Sequence, residues 1–70
     1  MDRQVILSLL ERRPFVPFSI QLSNGEAFEI RHPELAALGK SRLVIVNPET
    51  DVMEIVALLH VANVRTMQAA

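Results

Sequence analysis

The sequence predicts a mostly β domain led by one helix, with five short strands curled into a small barrel. Three observations point there. A helical hydrophobic pattern fills residues 2–13 and stops at a proline. From Phe18 the apolar period changes to two around an Asn-Gly turn. The later apolar runs are short, rich in β-branched residues and separated by turn signals.

The helix rests on "DRQVILSLLERR", in which Val5, Ile6, Leu9 and Leu10 share one face against Arg3, Gln4, Ser8, Glu11 and Arg12. Asp2 suits the N-cap, and Arg12 and Arg13 complement the dipole at the other end. Pro14 pushes Arg13 out of helical geometry and ends the helix. Pro14 and Pro17 make "PFVPF" an extended connector with Phe15 tucked under the helix.

The first two strands, about 18–22 and 26–31, form a hairpin whose loop length follows from side-chain parity. A two-residue Asn24-Gly25 loop would set Ile20 against Glu29 and Phe18 against Arg31, mixing core and charge on one face. A three-residue loop, Ser23-Asn24-Gly25, sets Phe18 against Ile30 and Ile20 against Phe28. Gly25 then takes the left-handed position that closes such a turn without steric cost.

"HPELAALGK" interrupts the sheet, with Pro33 opening a short helical turn and Gly39 stopping it. "RLVIVN", about 42–47, reads as a strand buried on both faces, and "PETD" as a turn. The last segment, "VMEIVALLHVANVRTM", admits two readings. Its β-branched content favours strands at about 52–58 and 62–67 joined by a tight turn at 59–61. The alternative is an α+β fold, a hairpin sheet with N- and C-terminal helices, in which Asp51 and Glu54 cap a single last helix.

Seventy residues make one small domain near the lower size limit for independent folding. There is no cysteine, so neither disulfides nor cysteine-zinc sites reinforce it. Half the residues are hydrophobic and only 21% are charged, which suits a homo-oligomer that covers part of its surface with a copy of itself. The apolar run "VILSLL" is too short for a membrane span and lacks the context of a signal peptide, so the expected location is cytoplasmic, with no membrane partner. A net charge of −1 supplies no general attraction to nucleic acid.

The layout of one helix and five strands resembles the Sm-like, or SH3-like, small barrels. "VPFSIQLSNGEAFEI" is similar to the first hairpin of the bacterial Sm-like RNA chaperones of the Hfq family, where a helix ending in arginines leads into it. "LLHVANV" resembles the segment in which that family places a lysine-histidine pair before the last strand; here His60 matches and Leu59 replaces the lysine. The chain also resembles short bacterial proteins with a "PF.I.L..G" hairpin, an "HPE" step and a late "LLH". The Sm-like resemblance implies RNA binding on a ring face through Arg12, Arg13 and His60. Phe28, Glu29 and Ile30 stand where that family's strand-bending glycine is expected, and "ELAALGKSR" lacks its acidic residue.

Other chemistry has little foothold. His32 and His60, with Glu34 or Glu54, lack metal-ligand spacing. The four serines lack a nucleophile elbow, and two glycines exclude the usual nucleotide loops. With no Tyr or Trp, an aromatic platform for single-stranded nucleic acid is not expected. The expectation is a binding module without enzymatic activity, metal or cofactor. Its leading partner is protein, held through a sheet edge rich in Val and Ile, with RNA as the rival and a small-ligand-binding or catalytic protein as a distant third.

Overall fold

A computed structural model describes residues 1–67. Helix α1 spans Arg3–Glu11. Asp2 precedes it in extended geometry, and its Oδ1 accepts the Gln4 N–H at 2.9 Å, satisfying one of the free donors of the first turn. Ile6 is fully buried, and Leu9 and Leu10 pack on the same core, whereas Val5 faces solvent. At the other end the Arg13 guanidinium donates to the Leu10 and Arg12 carbonyls at 2.9 and 2.8 Å. Phe15 is half-buried, its ring 6.1 Å from that of Phe18.

Strands β1 (Phe18–Leu22) and β2 (Ala27–Ile30) pair with Phe18 opposite Ile30 and Ile20 opposite Phe28, the register that parity selects. The Gly25 N–H donates to the Leu22 carbonyl at 3.0 Å, and the Leu22 N–H to the Glu26 carbonyl at 2.8 Å. Gly25 has φ +92°, which only glycine adopts freely. Asn24 braces the loop, accepting the Glu26 N–H at 3.0 Å and donating to its carboxylate at 2.7 Å.

After Ile30 the structure departs from the expected five strands. Pro33–Leu35 forms a single 3-10 turn, and Ala36–Leu38 then runs on as a strand, β3. It pairs with β4 (Arg42–Asn47), with Leu38 opposite Leu43 and Ala36 opposite Ile45. Gly39 does not end a helix; its N–H donates to the Arg42 carbonyl at 2.8 Å in the β3–β4 turn. Three residues as plain as Ala-Ala-Leu carry almost no strand signal, and the ladder offered by β4 decides their conformation.

The last segment is two strands, β5 (Val52–Ala57) and β6 (Val61–Thr66), around a 3-10 turn at Leu58–His60. No C-terminal helix forms there. Asp51, the would-be cap, sits at φ 59° in the β4–β5 turn, its N–H bonded to the Asn47 carbonyl at 2.8 Å. Strand β6 pairs with β1 through a register shift at Gln21/Leu22, with Asn63 opposite Gln21 and Val61 opposite Leu22. Ala62 is the extra residue, so Val61 and Val64 both face inward despite their odd spacing.

The six strands form two antiparallel sheets, ordered β2-β1-β6 and β3-β4-β5. Among the described residues no ladder joins them, so the expected five-stranded barrel gives way to two facing three-stranded sheets. At the β2–β3 junction the break falls at Pro33, which has no N–H to donate and opens the 3-10 turn that leads from one sheet to the other. Phe18, Ile20 and Ile30 from the first sheet meet Leu43, Ile45 and Val56 from the second in one buried cluster, with Ile6 of α1.

Gly25→Ala tests the hairpin. No heavy atom lies within 4 Å of an added Cβ, so the cost is conformational alone. Urea unfolding should show a loss of about 1–2 kcal/mol with an unchanged m-value.

Candidate interaction surface

The outer faces of the two sheets differ in chemistry. On the first, Ser19, Gln21, Ala27, Glu29, Asn63 and Arg65 alternate with the core residues of β1, β2 and β6. Arg31 and Glu29 form an ion pair of 2.6 Å there, more than half exposed on both sides and worth little in water. That face is solvated.

On the second sheet the outward positions are Val44 and Val46 of β4, Met53, Ile55 and Ala57 of β5, and Ala37 of β3, with the exposed Arg42 of β4 at one end opposite Ala57. Val44 lies directly opposite Ile55, and Val46 opposite Met53. Met53 is 61% exposed and Ile55 67%, while Val44 and Val46 are half-buried beneath them. The expectation that "RLVIVN" is buried on both faces is therefore corrected. Leu43 and Ile45 are buried, and their alternating neighbours form the floor of an open apolar band. Uniform hydrophobicity along a short strand does not distinguish a second covering layer from a surface awaiting one.

The sheet edges differ as well. Strand β3 is three residues long and packs on α1, whose Arg3 Nε also donates to the Gly39 carbonyl at 3.0 Å. Strand β2 has four residues, carries Glu29 and ends before Pro33. Strand β6 is interrupted by its bulge and carries Arg65. Strand β5 runs six residues without proline or bulge, and its one charge, Glu54, points to the inner side opposite Ile45. Of the four edges, this one has the fewest of the features that discourage strand addition.

Between β2 and β5 the seam is open. A cleft of about 350 Å³ lies among Leu22, Phe28, Glu54, Val56 and His60. A second, of about 640 Å³, lies among Phe28, Arg31, His32, Ile45 and Glu54. Glu54 and Phe28 line both, so the half-buried Glu54 carboxylate faces space that water can fill. Among the described residues no three metal-ligating side chains cluster, and no helix is long and apolar enough to cross a membrane.

The residues singled out for RNA fall in separate places. Arg12 is the exposed C-cap of α1, and Arg13 is engaged with helix carbonyls. Both precede the connector that enters β1 at its start. His60 ends the 3-10 turn beyond the other end of β1, where its carbonyl accepts the Ser23 N–H at 2.9 Å and the Ser23 hydroxyl at 3.1 Å. Its exposed side chain borders the smaller cleft, and His32 borders the larger. Asn24 and Gly25 stand in the turn expected of them.

Comparison with known proteins finds no matching family model, no matching curated protein and no matching solved structure.

Ile45 and Ile55 lie on opposite sides of one hairpin and separate the two roles. Ile45→Ala should cost about 2–5 kcal/mol of stability, as cavity-forming core truncations do. Ile55→Ala should stay within about 0.5 kcal/mol at concentrations where the chain is a monomer, by chemical denaturation.

Proposed function

We propose that this protein is a homo-oligomeric protein-interaction module that works through the outer face and free edge of β5. The observation that carries the reading is the exposure of Met53 and Ile55 side by side on the outer face of an edge strand that has neither proline nor bulge. Apolar side chains gathered on one side of a small domain mark a contact surface, and an open strand is a template for pairing. The polar outer face of the other sheet supports the assignment by contrast.

The finer fold reading is an opened small barrel of the Sm-like or SH3-like kind. Its support is the pairing order, in which β2 and β3 occupy the places of the two halves of one bent strand. The bend that a glycine provides in that family would be made here by the break at Pro33. RNA binding ranks below self-association, because Arg13 is engaged with helix carbonyls and His60 lies beyond the far end of β1.

Light scattering over a concentration series should give a mass above one copy that falls to one copy in Ile55→Lys and in Met53→Lys. A single-copy mass for the unaltered chain throughout would overturn the proposal. Single-stranded RNA titrated at low salt should show no binding sensitive to Arg12→Ala and Arg13→Ala. Binding that weakens steeply with salt and is lost in those variants would favour the nucleic-acid reading instead.

A further inference from the structure

We propose that β5 pairs antiparallel with β5 of a second copy about a two-fold axis through Ile55, making one six-stranded sheet, β3-β4-β5-β5′-β4′-β3′. This rests on the self-association reading above and names its geometry.

Parity selects the partner strand. Strand addition places the outer faces of the two sheets on one side, and directly opposed residues share that side. If β5 met β6 of a neighbour, Met53 and Ile55 would lie beside the exposed Asn63 and Arg65 that face outward from the other sheet. Against a second β5, the same side chains meet apolar ones. An isologous contact also closes on itself at two copies, leaving no open end for a fibre.

Charge selects the register. Two-fold antiparallel pairing within one sheet opposes residues of equal parity, so the strand centres on a residue of its own. Only two registers pair most of Val52–Ala57, one centred on Glu54 and one on Ile55. Centring on Glu54 sets two carboxylates directly opposite on the inner side, which is destabilising. Centring on Ile55 sets Ile55 against Ile55′ and Met53 against Ala57′ on the outer side, and Glu54 against Val56′ on the inner side. An inward-pointing charge on an edge strand ordinarily guards against pairing; here it rejects one register and admits the other.

The chain has no cysteine, so single substitutions read the register directly. In the Ile55-centred pair the two Ile55 Cα atoms lie about 4.5–5.5 Å apart, within disulfide reach. The two Met53 residues are displaced by four positions, about 13 Å along the strand. Under mild oxidation Ile55→Cys should link into covalent dimers roughly tenfold or more faster than Met53→Cys, because only the first pair meets disulfide geometry. Met53→Cys should link to Ala57→Cys in a mixture of the two variants. Both preferences should vanish in urea.

Other outcomes overturn the proposal in distinguishable ways. Linking of Met53→Cys to Ile55→Cys in preference reports the Glu54-centred register. A two-copy mass without preference at position 55 places the contact elsewhere and leaves self-association standing. A mass above two copies rejects the two-fold arrangement, and a single-copy mass at every concentration rejects self-association as well.

Discussion

The two sheets share no backbone ladder among the described residues, so contact between their inner faces is what holds the domain together. Phe18, Ile20 and Ile30 press on Leu43, Ile45 and Val56, and Ile6 of α1 joins them. Burial of this kind has no direction of its own, so it constrains the chain through parity. A slip of one residue in any ladder would turn a strand's apolar set toward water. Two local devices keep parity intact. Gly25 absorbs the odd residue of the β1–β2 loop at positive φ, and Ala62 absorbs the odd residue between Val61 and Val64 in β6. Both act through the same strand, β1, the central strand of its sheet.

What could be read in the residues follows from how local each signal is. The hairpin was legible because two candidate loops predict opposite mixtures of core and charge, and only one keeps Phe18, Ile20 and Ile30 together. The helix was legible from its spacing and from Asp2 and Pro14, although Val5, assigned to the buried face, lies in solvent. The choice of strands over a last helix followed the β-branched residues, with Asp51 serving a turn at positive φ. Strand β3 was hidden because Ala36–Leu38 has no preference strong enough to show without β4 beside it. The separation of the sheets was hidden for a related reason. Pro33 announces a break, but where the chain resumes pairing depends on tertiary contacts that the local pattern does not hold.

The candidate surface was half legible. The sequence shows a Val- and Ile-rich edge, and it shows Met53, Ile55 and Ala57 alternating briefly with Glu54. It does not show that Val44 and Val46 join them, because a run such as "RLVIVN" has the same composition whether one face is covered or two. Only the pairing of Val44 with Ile55 and of Val46 with Met53 assembles four separate side chains into one band. The contrast with the other sheet then gives the band its meaning. Both sheets bury one face against the same core, yet only the first has the polar outer face usual for an antiparallel sheet in water.

A core of so few side chains in a domain of this size leaves a small margin of stability, and that links the edge to the fold. Strand β5 is held by β4 on one side and supplies Val56 to the core, so loosening β5 would both widen the seam and remove a core residue. A second copy bound along β5 binds the folded state alone, since the edge does not exist in the unfolded chain. By mass action such binding raises the stability of the folded form as concentration rises. If the proposed pairing holds, the added strand would brace β5 from the side that β4 leaves open.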